Sequence, residues 1–174
     1  MSGGIDSATA AALLVSEGWT VSALFVDYEQ AAVSSERRAS HAIADRYLLE
    51  WSEVHLHDFG IASSGEIRGR NDLLIAICLA VSSSSSVAIG THSGSQYLDC
   101  SEPHAKAWQD LLDAEYRGSR RLISPFIGIS KVAVVALARD LGVPLELTHS
   151  CDSAPDPCGS CVSCLERASV LAGS

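Results

Sequence analysis

The stretch Ser2-Gly3-Gly4-Ile5-Asp6-Ser7 stands directly before Ala8-Thr9-Ala10-Ala11-Ala12-Leu13-Leu14-Val15. The second stretch has strong helix propensity, so the first reads as a polar loop feeding a helix N-terminus. No other feature constrains the chain as much. The first turn of a helix carries unpaired backbone N–H groups and the positive end of the macrodipole. Two glycines without Cβ atoms let backbone amides close around phosphate oxygens. Ser2 and Ser7 add hydroxyl donors. Asp6 is the unusual member, because a carboxylate beside phosphates is repulsive unless it caps the helix or meets a bound Mg2+. Taken alone, two adjacent glycines also suit an ordinary turn, with Asp6 or Ser7 as an ordinary cap. A Walker A loop is excluded, because no Gly-Lys-Ser or Gly-Lys-Thr opens the helix.

At 174 residues, with 47% hydrophobic and 19% charged residues, the chain has the length of one ordered domain. Its net charge of -9 argues against a nucleic-acid binder that works by neutralising phosphates, although Arg117, Arg120 and Arg121 form one local basic cluster and Arg68 with Arg70 another. No stable nucleic-acid binding is expected. No apolar run is long enough to span a bilayer, and no basic leader precedes the first helix, so a cytoplasmic protein without membrane contact is expected.

The pattern along the chain predicts a helix over 6–17 that stops at Gly18, then a buried strand over 20–27. A helix over 31–48 follows, with Ala39, Ala42, Ile43 and Tyr47 along one face, and a strand over 51–57. A polar loop over 58–68 leads to a helix over 71–81, and five serines connect it to a strand over 87–91. Beyond lie a helix over 101–117, a short strand over 122–124, a helix capped by Ser130 and ended by Gly142 and Pro144, and a last helix over 165–172. Strands alternating with helices predict an α/β fold with a doubly wound parallel sheet, whose ligands sit beyond the carboxyl ends of the strands.

Cys151, Cys158, Cys161 and Cys164 have the spacing C-x6-C-x2-C-x2-C. Their thiolates can converge on one tetrahedral Zn2+, and Gly159 permits the tight turn that aims successive sulfurs inward. Four protein ligands leave no open position, so such a site is structural. An iron–sulfur cluster and a redox dithiol are the competing readings. Cys78, inside an apolar helix, reads as core packing, and Cys100 has no clear role. The six histidines receive no roles; His92, at a strand end, is the best placed.

The hexapeptide resembles the SGGxDS pyrophosphate loop of the N-type ATP pyrophosphatases, the PP-loop superfamily. Together with the four cysteines it resembles one branch, the QueC or 7-cyano-7-deazaguanine synthase group, over nearly the whole chain. Gly69-Arg70-Asn71 is similar to that group's GRN element, and Tyr97-Leu98-Asp99-Cys100 to its YPDC element with Leu for Pro. Ser124-Pro125-Phe126, Lys131, Leu141-Gly142-Val143, Ser150-Cys151 and Arg167 follow the group's order. The resemblance implies a Rossmann-like, adenine nucleotide alpha hydrolase-like single domain over 1–174, with a zinc-binding segment over 150–167.

It also implies a chemistry. Ser2, Gly3, Gly4, Asp6 and Ser7 would hold the ATP pyrophosphate with Mg2+, while a deazaguanine carboxylate attacks the α-phosphorus. An amine then displaces AMP to give an amide, and in QueC a second adenylation dehydrates the amide to a nitrile. Lys131 and Arg70 are the expected cations for the developing charge, and Tyr97 and Asp99 the expected contacts of the base. The implied partners are a small-molecule deazaguanine carboxylate and an amine donor, ammonia or a protein amine, with a homodimer as the expected assembly. QueC-like members also occur in bacterial antiviral systems.

Two departures matter. Gln30-Ala31-Ala32 stands where the group has Gln-Arg-His, and the chain is shorter than the group, mainly around the loop after His57. A divergent member that conjugates the deazaguanine to a protein amine, and a non-catalytic nucleotide-binding module, are therefore alternatives. A tRNA sulfur-transfer or lysidine-type relative is disfavoured by the acidic charge. A phosphate loop of this kind also follows a hydrophobic strand, whereas only Met1 precedes Ser2. Apolar residues upstream of Met1, or a strand from another chain, are expected to supply it.

Overall fold

The computed structural model describes residues 1–58, 67–95 and 97–172. They form two compact units, the first from Met1–Ile67 and Val135–Ser174 and the second from Arg68–Val134.

In the first unit, α1 (Ile5–Ser16) follows the glycines directly, with Gly4 as an extended N-cap at ψ 165 that offers no side chain to the helix. The helix stops where the sequence predicts. Gly18 takes φ +85, and the amides of Gly18 and Trp19 return to the carbonyls of Val15 and Leu14. Strand β1 (Ser22–Asp27) runs parallel to β2 (Glu50–His55), joined by α2 (Val33–Tyr47). Parallel pairing needs such a crossover, because the chain must return to the same end of the sheet. The main chain of Met1 lies beside β1, where its amine donates to the Leu24 carbonyl.

The predicted face of α2 is the packed one: Ala39 and Ile43 are buried. Ile43 joins Ala8 and Ala12 of α1, Ala138 of α5 (Lys131–Asp140) and Val143 in the unit's core, with Met1, Tyr47, Leu141 and Leu145 around it. The alanines let helices approach closely, so α1 can be apolar almost all round. After α5 the chain makes a 3-10 turn at Leu145–Leu147, passes through the cysteine loop and ends in α6 (Val162–Ala172). That helix begins three residues before the expected boundary and carries Cys164 on its first turn.

The second unit opens with α3 (Arg70–Val81), whose N-cap Gly69 has φ +68. A Cβ there would lie 2.9 Å from an Asp72 carboxylate oxygen, so a larger residue at 69 needs both strain and a shift. Strand β3 (Ser86–Ala88) pairs in parallel with β5 (Arg121–Ile123). Two further strands were not expected from sequence: β4 (His92–Ser93) and β6 (Phe126–Ser130), again parallel. Pro125 lacks an N–H and separates β5 from β6, so one run of chain splits into two ladders. Helix α4 (Glu102–Tyr116) is capped by Ser101, whose hydroxyl accepts from the His104 amide.

Mixed α/β structure with parallel strand pairs matches the predicted fold class. Among the described residues no helix is long and apolar enough to cross a membrane. Most of the predicted polar loop, residues 59–66, lies outside the described residues.

Candidate functional site

The loop at the start of the chain is built by its glycines. Gly3 takes φ +77, and a Cβ there would fall 2.6 Å from the Ser40 amide nitrogen and 2.7 Å from the Ala39 Cβ. The chain thus presses against α2 so closely that only glycine fits. From there the loop reaches the N-terminus of α1, where Ser2 and Ser7 hydroxyls meet at 3.2 Å. Ser7 donates to the Gly4 carbonyl at 3.1 Å, and the Gly4 amide points to Ser2 Oγ at 3.3 Å. Asp6, half-buried, is the second residue of the helix. Hydroxyls, amides and the helix dipole converge where an anion would sit.

The loop is also held from the far end of the chain. His149 N–H donates to the Gly3 carbonyl at 2.9 Å. An open groove of about 340 Å³ beside it is lined by Ser35, Arg38, Ala39, Thr148, His149 and Pro155. Ser2, Asp6 and Ser7 do not line this groove, so it is distinct from the anion position.

The four predicted cysteines come together, with all four sulfurs within 4.8 Å of one another and Cys161 Sγ 4.0 Å from Cys151 Sγ. Main-chain amides stabilise the sulfurs: Cys161 N–H points to Cys158 Sγ at 3.3 Å and Cys164 N–H to Cys161 Sγ at 3.4 Å. The amides of Ser160 and Cys161 and the Ser160 hydroxyl pull the Cys158 thiol down to about 6, whereas burial pushes Cys161 up to about 12. Four soft donors this close fit one tetrahedral ion; an iron–sulfur cube needs its thiolates spread farther apart. Arg167 fastens α6 to the segment that leads into this loop, donating to Thr148 Oγ1 at 2.7 Å, Ser150 Oγ at 3.1 Å and the Leu145 carbonyl at 2.7 Å.

A second group of ligand-type residues was not foreseen. Asp27, Glu53 and His55 lie at the carboxyl ends of β1 and β2, with ligand atoms within 4.8 Å of one another. The parallel register sets Asp27 beside His55, an adjacency that no local pattern announces. Arg37 of α2 already bridges the two carboxylates, at 2.5 Å to Asp27 and 2.6 Å to Glu53. Burial works against ionisation of Asp27, but the Glu29 amide and Arg37 outweigh it and hold the carboxyl below its usual range. Gln30 turns inward, accepting from the Tyr28 amide and donating to Glu36 at 2.8 Å.

In the second unit, Arg70 is the exposed first residue of α3, Tyr97 is half exposed before a 3-10 turn at Leu98–Cys100, and Lys131 opens α5 directly after β6. Asp99 Oδ2 accepts from the Asn71 amide at 3.1 Å, which caps α3 in place of the missing side chain at Gly69. Asn71 Nδ2 returns to the Asp99 carbonyl at 3.2 Å and to Cys100 Sγ at 3.3 Å. Gly69-Arg70-Asn71 and Tyr97 to Cys100 are therefore joined in one hydrogen-bonded cluster through Asn71. Asp72 ties α3 to α4, accepting from His104 and Trp108 at 2.6 Å each. Arg120, from the basic cluster, donates to the carbonyls of Leu79 and Ser82 at the end of α3, a structural use.

Comparison with known proteins places these features in one family. A family profile described as "Queuosine biosynthesis protein QueC" matches residues 1–66 and 63–173. The two matched segments overlap at residues 63–66, inside the polar loop predicted over 58–68. The 7-cyano-7-deazaguanine synthase of Synechococcus sp. (strain CC9311) is 34% identical over 203 positions, covering 98% of this chain and 90% of that protein. The enzyme of the same name from Methanoculleus marisnigri is 32% identical, covering 96% and 89%. A solved structure, the U34-tRNA thiolase NcsA from Methanococcus maripaludis with its [4Fe-4S] cluster, superposes with a TM-score of 0.60 at 20% identity. It matches 98% of this chain but 62% of its own, and at that identity it speaks for the fold alone. With the profile spanning nearly every residue, and with the glycine loop and the cysteine cluster both formed, the chain belongs to the QueC family.

Proposed function

We propose that this chain is an ATP-dependent carbon–nitrogen ligase that adenylates the carboxylate of a 7-deazaguanine-type substrate, releases pyrophosphate and passes the acyl group to an amine. A carboxylate does not react with an amine at neutral pH, because oxide is a poor leaving group; transfer to AMP supplies a good one. The observation that carries this reading is the Gly3-Gly4 turn into α1, with Ser2 and Ser7 hydroxyls 3.2 Å apart at the helix N-terminus, whose cap Gly4 offers no side chain. In it, Ser2, Gly3, Gly4 and Ser7 bind the pyrophosphate, and Asp6 would hold Mg2+, which supplies neutralisation of phosphate charge when bound. Lys131 and Arg70 offset the charge that develops at the α-phosphate. Tyr97 stacks on the base, and Asp99 accepts from its N–H edge. Most of the rate then comes from positioning and charge stabilisation. The chain acts as a single ATP-pyrophosphatase domain over 1–174, and the cysteine site would hold Zn2+ as a structural ion. Ammonia as the amine gives an amide and, after a second adenylation, a nitrile; a homodimer in the cytoplasm is the expected form.

Pyrophosphate release from ATP with 7-carboxy-7-deazaguanine, with and without an ammonium salt, tests the proposal. Release in wild type and loss in Asp6→Ala with metal content intact are expected; no release under any condition refutes it. Ala31 and Ala32, where the resembled group has Arg and His, favour one second reading, in which a protein amine is the acceptor. Release that begins only on adding a protein partner would select it.

A further inference from the structure

The pyrophosphate loop and the cysteine loop meet at one residue. His149 N–H donates to the Gly3 carbonyl at 2.9 Å, and its own carbonyl lies 3.6 Å from where a Cβ on Gly4 would be. Its ring turns the other way: Nε2 is 2.9 Å from the carbonyl oxygen of Cys151, a metal-type ligand two residues on. A carbonyl only accepts, so Nε2 is the donor of this bond. The flanking residues are pinned as well, since Arg167 grips Thr148 Oγ1 and Ser150 Oγ from α6. Gly3 also packs against α2, which is held to the cysteine loop by Ser35 Oγ, the donor to the Pro155 carbonyl at 2.6 Å. Gly3 thus touches both α2 and His149, and both supports are tied to the cysteine loop.

We infer that His149 is a positioning residue of the phosphate cradle, coupling its shape to metal occupancy of the Cys151, Cys158, Cys161 and Cys164 site. A left-handed Gly3 has many alternative conformations open to it, and the cradle binds only in the one that aims the α1 amides and Ser2 together. Fixing the Gly3 carbonyl removes those alternatives before an anion arrives. The ring bond to Cys151 makes that support dependent on where the metal holds Cys151. The cysteine site, although closed to substrate, therefore contributes to pyrophosphate affinity. This rests on the reading of the loop as a pyrophosphate cradle, though not on the identity of the carboxylate or amine.

Titration of inorganic pyrophosphate with Mg2+ into the metal-loaded protein tests it. His149→Ala weakens binding about fivefold with metal content unchanged, and His149→Gln, which keeps a side-chain donor, restores most of it. A purely structural role would lower melting temperature without this rescue of affinity. Chelated wild type with unchanged far-ultraviolet dichroism binds pyrophosphate at least about tenfold more weakly, and Zn2+ restores it. Unchanged affinity in metal-loaded His149→Ala overturns the proposal. If that variant sheds its metal, the chelated wild type decides, and affinity equal to that of the loaded form overturns it. Wild type that releases no pyrophosphate in turnover but still binds it leaves the coupling standing and removes the ligase reading; wild type that binds none removes both.

Discussion

Two groups of metal-ligand side chains in the first unit are equally compact, and they differ in what surrounds them. The four cysteines and the Asp27, Glu53 and His55 group each keep their ligand atoms within 4.8 Å. At the cysteines, backbone amides point at the sulfurs and no side-chain cation of the protein is bonded to them in the described structure. At the carboxylates, Arg37 stands between the ligands and supplies the positive charge itself. A set of convergent anions is a metal site when the fold leaves its charge for an ion to neutralise, and an ion-pair network when an arginine has taken that place.

Removing a cysteine should have the largest effect. Cys161→Ser is expected to abolish stoichiometric metal in elemental analysis and to cost several kcal/mol of stability, because metal affinity and folding free energy are linked at such sites, by about 10–16 kcal/mol in small zinc domains. Metal retained at wild-type stoichiometry would break the comparison. Next comes Arg37→Met, which leaves two carboxylates facing each other across β1 and β2. A loss of about 1–3 kcal/mol is expected in urea unfolding, discounted for the 34% exposure of the arginine side chain. Added Mn2+ should recover part of it by taking the vacated position, and no recovery would mean that distance alone does not make the group a site.

The same pair has a pH signature. Asp27 has its folded-state carboxyl lowered from 3.8, so its contribution is fully present above the unfolded value and is lost as pH falls through the folded one. Wild type should therefore lose this stability on acidification below about pH 4, whereas Arg37→Met should show a smaller acid loss from this residue. The smallest effect belongs to His55→Gln. His55 is 46% exposed, so a change within about 0.5 kcal/mol and no change in bound metal are expected. Altered metal content in this variant would place an ion in the second group.

What could be read from sequence follows from how local its causes are. The stop at Gly18, the Ser130 hydroxyl near the Ala133 amide at 3.3 Å and the cysteine spacing are all decided within a few residues. The short strands β4 and β6 are not, because two to five residues form a strand only when a partner lies alongside. Asp27 and His55 meet through strand register, and Gln30 is turned inward by main-chain groups at Val26 and Tyr28. His149 gave no local signal. Its contacts lie at Gly3, far back in the chain, and at Cys151, and a lone histidine before a cysteine has no motif of its own. Its neighbour Cys151 is the cue that a reader of the sequence could have used.

The Gly3 to His149 bond also has a consequence for synthesis. A ribosome delivers the glycine loop first and its brace 146 positions later, followed by Arg167 and the last cysteines. At roughly 5–20 residues per second, the loop waits about 7–30 s before the main-chain donor that locks it exists. During that interval α1, β1 and α2 can pack, but Gly3 is free of His149 and has no reason to favour the conformation that suits an anion. Nascent protein should thus acquire its nucleotide affinity late and in one step, after the final cysteine has left the ribosome.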